Sequence, residues 1–257
     1  MKVLMAGLFK TGTKSMDEAM RILGYRPAEH GVYFGELYED WNKFYNGKGT
    51  SDDIRRMFKN YDTASDFMAA LHWKEFLKGF PDIKIILMQR DIESWLVSYK
   101  AQVKKFNESA LSFPLSVFSP TARRWFDFTG KFMRRLWNEK ENTAFYFRKT
   151  LPLLDDDRAR KLYKDHTADV IKEAPPGQLL VYNVNEGWGP ICKFLGREVP
   201  DIPFPHLNKK GEIAEKRLKN DSYIKNMYIE MYTVLALIFL FFSLFVAIVL
   251  KLYHEFI

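Results

Sequence analysis

The chain has 257 residues, a formal net charge of +7 and one cysteine, and 47% of its residues are hydrophobic. This length is enough for one domain with a full hydrophobic core. A single cysteine excludes a fold that depends on intrachain disulfides and agrees with a cytosolic setting. The five histidines show no metal-ligand spacing, so no metal site is expected.

The first predicted elements are a strand over residues 2–8 and a helix over residues 15–24, joined by a short basic loop. In such a strand–loop–helix unit the backbone N–H groups of the loop and the helix N-terminus point at one spot and bind anions. Phosphate or sulfate is therefore the expected ligand. The loop residues expected to bind it are Lys10, Thr11, Gly12, Thr13, Lys14 and Ser15.

The loop is close to the nucleoside-triphosphate pattern G-x-x-x-x-G-K-[ST] but does not match it. Thr13 stands between Gly12 and Lys14 and displaces the Lys14-Ser15 pair by one position. This offset separates two classes of enzyme, because the unshifted pattern is typical of proteins that bind ATP with magnesium.

The middle of the chain is predicted to hold a second anion. The elements predicted there are a loop to about residue 50, helices over 52–60 and 67–79, a buried strand over 83–88 and a helix over 91–106. Arg90 follows the strand, at the edge of a parallel sheet where ligands bind. Ser98 lies on the helix face nearest the strand end, and Asp91 is expected to cap the helix. Arg90 could instead form a salt bridge with Asp91 or Glu93.

The next predicted elements are a helical region over about 120–149, a helix over 155–173, a strand over 179–184 and a helix over 187–195. Strands that alternate with helices favour a three-layer α/β fold with a central parallel sheet. Residues 106–154 are dense in aromatic side chains, which would line an apolar or phenolic pocket or pack a helical cap. Cys192 is expected to be a buried structural thiol.

Residues Met231 to Leu250 form a run of twenty residues without charge, Pro or Gly. At about 1.5 Å per residue, a helix of this length spans about 30 Å, the hydrocarbon thickness of a bilayer. We therefore expect a single-pass transmembrane anchor with Tyr228, Tyr232 and Tyr253 at its ends. The alternative is a buried core helix.

Charge predicts the orientation of this anchor. Six basic residues lie between 209 and 225, whereas Lys251 alone follows the apolar run. The positive-inside rule then places the amino-terminal part of the chain in the cytosol. Because only residues 251–257 follow, insertion after synthesis is expected, as in tail-anchored proteins of the endoplasmic reticulum or a related membrane. An anionic ligand and an anionic membrane surface explain the positive charge, so no nucleic-acid partner is expected.

The two motifs together resemble those of the sulfotransferase family. The first is the loop Lys10-Thr11-Gly12-Thr13, and the second is Arg90 followed eight residues later by Ser98. Two further segments resemble one divergent branch of that family, EGWGPICKFLG at 186–196 and PDIPFPHLN at 200–208. The resemblance divides the chain into a sulfotransferase (P-loop-like) domain at 1–208, a basic juxtamembrane segment at 209–227 and an anchor with a short tail at 228–257.

This resemblance implies a P-loop-like fold and transfer of a sulfuryl group from 3′-phosphoadenosine 5′-phosphosulfate (PAPS) to a hydroxyl or amine of a small-molecule or lipid-like acceptor. The first loop would hold the 5′-phosphosulfate, and Arg90 with Ser98 the 3′-phosphate. Lys10 would stabilise charge on the leaving phosphate. Asp66 is the first candidate for the base that takes the acceptor's proton, ahead of His72 and His30. Asp66 could equally cap a helix.

Two other functions stay open. A kinase using ATP and magnesium is disfavoured by the displaced Lys14-Ser15 pair and by the later strands, which end in Gln89-Arg90 and Asn183-Val184 without an aspartate for the metal. A catalytically inert, membrane-tethered nucleotide-binding module is disfavoured by the presence of Lys10. The sequence Asp66-Phe67-Met68, where the branch usually has Asp-x-Pro, leaves that module open.

Overall fold

Four parallel strands form the centre of the fold in a computed structural model, which describes residues 1–28, 37–108, 114–137, 153–207 and 222–256. The strands are β1 (Val3–Met5), β2 (Thr63–Ala64), β3 (Lys84–Met88) and β4 (Leu179–Tyr182). They lie in the order β2-β1-β3-β4. Leu4 is paired with Ala64 on one side and with Ile85 on the other, and Ile86 is paired with Leu180. The predicted parallel sheet is confirmed.

Helices connect and cover these strands. The described helices are α1 (Thr13–Ile22), α2 (Tyr38–Tyr45), α3 (Ser51–Met57), α4 (Asp66–Leu71), α5 (Trp73–Gly79), α6 (Ile92–Glu108), α7 (Leu115–Phe118), α8 (Pro120–Trp137), α9 (Asp156–Glu173), α10 (Trp188–Leu195) and α11 (Ser222–Phe256), with a 3₁₀ turn at Val184–Glu186. Residues 138–149 of the predicted helical region lie outside the described residues.

Several predicted boundaries are wrong. The loop expected before residue 50 contains α2, because Trp41 and Phe44 recur at helical spacing and are buried in the core. The helix expected over 67–79 is two helices with His72 between them. The first strand is shorter than residues 2–8, and β2 is too short to show any periodicity in the sequence.

The two faces of the sheet pack against different helices. Leu4 and Ile85 belong to one buried cluster, which is covered by α2–α6, α8 and α9. Val3 and Ile86 belong to the opposite cluster, which is covered by α1 and α10. Neighbouring strand residues thus face opposite layers, as the two-residue period of a strand requires. The molecule has the expected three-layer α/β architecture, and Cys192 is buried on the α10 side.

The long helix α11 lies outside these layers. It runs without interruption from Ser222 to Phe256. Its first turns pack against α7 and α8 in a third, smaller apolar cluster. The stretch Tyr223–Glu255 is long and apolar enough to cross a membrane, and none of its most apolar window is buried. This exposure disfavours the alternative of a buried core helix.

Candidate active site

The loop between β1 and α1 approaches its neighbours through two glycines. A Cβ on Gly7 would lie 2.5 Å from the carbonyl oxygen of Met88, at the end of β3. A Cβ on Gly12 would lie 2.4 Å from Cγ1 of Val184, and Gly12 has a φ of 105° immediately before α1. Among the described residues, no side chain caps the N-terminus of α1. The first N–H groups of this helix therefore face the loop, as in an anion-binding site.

Arg90 joins the two motifs. Its Nη1 donates to Ser98 Oγ at 2.9 Å and to the carbonyl oxygen of Lys10 at 3.4 Å. Asp91 caps α6 as expected, because its carboxylate accepts a hydrogen bond from the backbone N–H of Ser94 at 2.8 Å. The motifs thus meet where β1 and β3 end, at the carboxyl edge of the sheet, where open α/β sheets bind ligands.

The backbone of Arg90 is held by α9. The Tyr163 hydroxyl accepts a hydrogen bond from the Arg90 N–H and donates one to the Arg90 carbonyl, each at 2.8 Å. Burial raises the pKa of Tyr163, so this hydroxyl keeps the proton that it donates. Glu93, proposed from the sequence as a salt-bridge partner for Arg90, pairs instead with Arg160 at 2.7 Å.

Lys10 is half-buried and has a left-handed backbone, with a φ of 69°. Its ammonium group donates to Gln102 Oε1 at 3.2 Å. Burial lowers the pKa of Lys10, and the nearby charge of Asp66 partly opposes this effect. Lys10 and Asp66 are therefore close enough for their charges to interact, although the sequence separates them widely.

Asp66 shares the unusual backbone of Lys10. These two are the non-glycine residues with positive φ in the described part of the chain, and Asp66 has a φ of 70°. Such strain is kept where the surrounding structure imposes it, often at functional sites. Asp66 is buried at the first position of α4, and the N-cap residue of that helix is Ser65. Lys14 Nζ lies 3.7 Å from Asp66 and 3.1 Å from Asp17.

The hydroxyl groups of the loop are engaged within the protein. Thr11 Oγ1 donates to the carbonyl oxygen of Leu8 at 2.6 Å. Ser15 Oγ accepts a hydrogen bond from the backbone N–H of Leu207 at 2.9 Å, so the segment before Asn208 closes over α1. Thr13 is buried as the first residue of α1. The contacts of Thr11 and Ser15 hold the loop next to the uncapped N-terminus of α1.

Besides the contact of Tyr163 with Arg90, three contacts of the site were not predicted. Gln102 contacts Lys10, Trp95 Nε1 donates to the carbonyl oxygen of Phe9 at 2.8 Å, and His166 Nε2 lies 2.7 Å from the carbonyl oxygen of Ala6. Gln102 stands four residues after Ser98, so helical spacing could have identified it. The contacts of Trp95 and His166 join elements far apart in sequence, and no local pattern indicates them.

Of the two histidines considered as the base, the structure describes His72 but not His30. His72 is buried and stacks on Trp41 with ring centroids 5.3 Å apart. Burial lowers its pKa to about 3, so it is a neutral core residue. Its burial and its packing against Trp41 disfavour His72 as the base. His30 lies outside the described residues.

The fold and the meeting of the two motifs define a three-layer α/β protein of the P-loop-like class. A family model described as a sulfotransferase domain matches residues 2–213, so the chain belongs to this family. The chain is also 28% identical over 233 residues to "Ava biosynthesis cluster protein M" from Aspergillus versicolor, and the match covers 80% of each chain. The family membership indicates a sulfotransferase-type function and a transferase class of enzyme.

Proposed function

We propose that this protein transfers the sulfuryl group of PAPS to a hydroxyl or amine of a small-molecule or lipid-like acceptor at a membrane. The observation that best supports this is the position of Arg90, which donates to both Ser98 and the carbonyl of Lys10. A guanidinium next to an uncapped helix N-terminus suits a ligand with two separate anionic groups. PAPS has this character, with a 3′-phosphate and a 5′-phosphosulfate.

The residues of the site fit this donor. Arg90 is exposed and Ser98 half-buried, so both are accessible to a 3′-phosphate. The 5′-phosphosulfate is assigned to Lys10 and to the backbone of residues 11–15. The loop packs so closely against Val184 that Gly12 has no room for a Cβ there, and the backbone N–H groups of this tight loop are assigned to the phosphosulfate.

Lys10 and Asp66 are the proposed catalytic residues. In the reaction, the acceptor atom forms a bond to sulfur, the bond from sulfur to the phosphate oxygen breaks, and a base takes the acceptor's proton. Lys10 stabilises the charge on the departing phosphate. Asp66 is assigned to take the proton, because its carboxylate lies near Lys10, the residue assigned to the departing phosphate. Lys14 is bound between two carboxylates, so its charge also helps to position Asp66.

The membrane location is part of this proposal. The helix α11 is the anchor, and the domain faces the cytosol at the endoplasmic reticulum or a related membrane. The length and exposed apolar surface of Tyr223–Glu255 support the anchor. The basic residues between 209 and 225 support the orientation.

Calorimetric titration of the full chain in detergent micelles tests the donor site. The ligands are 3′-phosphoadenosine 5′-phosphate, ADP, and ATP with magnesium, and the variant is Arg90→Ala. Each charge-assisted contact to a phosphate contributes about 1.5–3 kcal/mol, so the variant should bind at least about tenfold more weakly. Arg21→Ala is the control, because Arg21 pairs with Glu18 on the exposed side of α1.

Each outcome separates the three functions. Tight, metal-independent binding of the 3′-phosphorylated nucleotide that is weakened by Arg90→Ala and unaffected by Arg21→Ala supports the sulfotransferase. A preference for ATP with magnesium would contradict it and favour the kinase. Binding of the 3′-phosphorylated nucleotide without turnover of PAPS over a panel of phenols, alcohols and amines would favour the inert module.

A further inference from the structure

We propose that the corner between α7 and α8 rests on the membrane surface and binds anionic phospholipid head groups. This corner, residues 114–125, is defined here as the membrane-facing corner. The inference rests on the proposed anchoring by α11. It adds a second contact with the bilayer, made by the domain itself. The domain would then be held in one orientation instead of moving freely at the end of an anchor.

The first step is that α11 begins inside the domain. An apolar cluster joins its first turns to α7 and α8, and the buried members are Leu115, Ala122, Phe126, Met227 and Met231. Tyr223, Ile224 and Tyr228 of α11 also pack against this cluster, so its contacts with α11 extend over more than two helical turns. The helix that enters the membrane is thereby part of the domain's own packing.

The second step concerns depth. The carboxylate of Glu230 accepts hydrogen bonds from Ser119 Oγ at 2.6 Å and from the N–H of Thr121 at 2.9 Å, so it caps the first turn of α8. Glu230 directly precedes Met231, the first residue of the twenty-residue apolar run. Since a helix rises about 1.5 Å per residue, the start of α8 lies within a few ångströms of the level at which that run begins.

The third step is that the domain stops at this level. Met231 is buried, whereas every residue from 235 to 250 is exposed. Domain contacts therefore end where the apolar run begins. If that run fills the hydrocarbon layer, the membrane-facing corner lies at the depth of the lipid head groups.

The fourth step is the chemistry of this corner. Val117 is an exposed apolar side chain, 41% accessible, and Arg123 and Arg124 are exposed near the start of α8. Arg123 donates to the carbonyl oxygen of Val117 at 2.9 Å, which keeps the cation next to the apolar residue. Residues 114–126 contain no carboxylate. An apolar tip flanked by arginines suits an interface with anionic lipids, which attract each nearby basic residue.

Depth-dependent fluorescence quenching tests the proposal on the full chain in nanodiscs. In a Cys192→Ser background, an environment-sensitive dye is attached at Val117→Cys, and the nanodiscs contain phosphatidylcholine alone or with about a third phosphatidylserine. Quenchers are spin-labelled lipids with a shallow or a deep label. Val199→Cys is the matched control, since Val199 is 60% exposed on a loop beyond α10. Leu240→Cys reports on the anchor itself.

The expected result is shallow quenching at position 117 that increases with phosphatidylserine, and none at 199. Reversing both arginines, Arg123→Glu with Arg124→Glu, should abolish the phosphatidylserine-dependent part. Reversal of two distant exposed lysines, Lys59→Glu with Lys193→Glu, should not. Equal quenching with and without phosphatidylserine would overturn the assignment to anionic head groups.

The position 240 dye separates the two proposals. Deep quenching at 240 without quenching at 117 would overturn the membrane-facing corner and leave the anchor standing. Absence of quenching at 240 would overturn the anchor and, with it, the corner. Because Val117 is exposed, its replacement by cysteine should not prevent folding.

Discussion

Lys10 carries a positive charge in a half-buried position, where it interacts with the carboxylate of Asp66 and the guanidinium of Arg90. Burial is the largest influence on its pKa and lowers it below the ordinary value of 10.5, Asp66 raises it, and Arg90 lowers it further. The ammonium form is the one that can stabilise a phosphate oxygen. The local surroundings of Lys10 therefore set the highest pH at which the proposed site can bind its nucleotide fully.

The affinity for 3′-phosphoadenosine 5′-phosphate should fall as the pH rises through this lowered pKa. In Lys10→Arg the charge persists, so the decline should disappear. In Asp66→Asn the negative charge that raises the pKa of Lys10 is removed, so this pKa should fall further. The decline in affinity should then occur at lower pH. Loss of the charge-assisted contact should weaken binding about tenfold or more.

Calorimetry across neutral to alkaline pH measures this effect. Lys59→Ala, at an exposed position on the α3 side, is the control and should keep the native profile. Identical pH profiles for the native protein and Lys10→Arg would show that another group controls the affinity, and Lys10 would then lose its assignment to the nucleotide.

At the scale of elements, the loop before α1 depends on its packing against the turn after β4. A methyl group on Gly12 would lie 2.4 Å from Val184 Cγ1, whereas one on Gly24 would meet nothing within 4 Å. Both glycines have positive φ, 105° and 82°. Alanine therefore introduces backbone strain at both positions and overpacking only at Gly12.

Gly12→Ala should lower the free energy of unfolding by about 1–3 kcal/mol more than Gly24→Ala, because overpacking adds to the backbone strain. It should also weaken nucleotide binding, since the loop must shift. Denaturant unfolding followed by tryptophan fluorescence measures the first effect. The second substitution Val184→Ala should recover part of the loss. Equal destabilisation at the two glycines, or no recovery, would mean that this contact does not hold the loop.

The sequence predicts those parts of the site that are local. The loop from Lys10 to Ser15 and the Arg90–Ser98 spacing each lie within one short segment, so residue type and periodicity suffice to identify them. The strand β2 spans two residues, Thr63–Ala64, and is formed by pairing with β1 rather than by any pattern of its own. Because β2 ends two residues before Asp66 and helps to position it, the location of Asp66 near Lys10 could not be worked out from periodicity.

Contacts between helices are likewise not predicted by local sequence patterns. Tyr163 reaches Arg90 across 73 positions of sequence, and this contact depends on how α9 packs against α6. The spacing of apolar residues predicts that α9 has a buried face, yet it does not say which element that face meets. Hydrogen bonds of this kind are specified by the assembled tertiary structure, and the sequence indicates them only after the packing is known.

For the whole molecule, the proposed orientation across the membrane determines which compartment would supply the proposed nucleotide. The predicted cytosolic orientation can be tested with glycosylation signals already in the chain, Asn107-Glu108-Ser109 and Asn220-Asp221-Ser222. Asn107 lies at the end of α6, within the domain. Sugar transfer takes place in the lumen, so these asparagines report the side on which the domain lies.

In microsomes, the full chain with a glycosylation tag added after Ile257 should receive sugar on the tag alone, because the proposed orientation puts the tag in the lumen and Asn107 in the cytosol. Protease added outside intact microsomes should digest the domain and leave the glycosylated tag protected. Asn107→Gln and Asn220→Gln should then leave the electrophoretic mobility unchanged. A glycan that Asn107→Gln removes, together with a domain resistant to protease, would reverse the orientation. The nucleotide would then have to be supplied from the lumen, and the basic residues before α11 would not determine the topology.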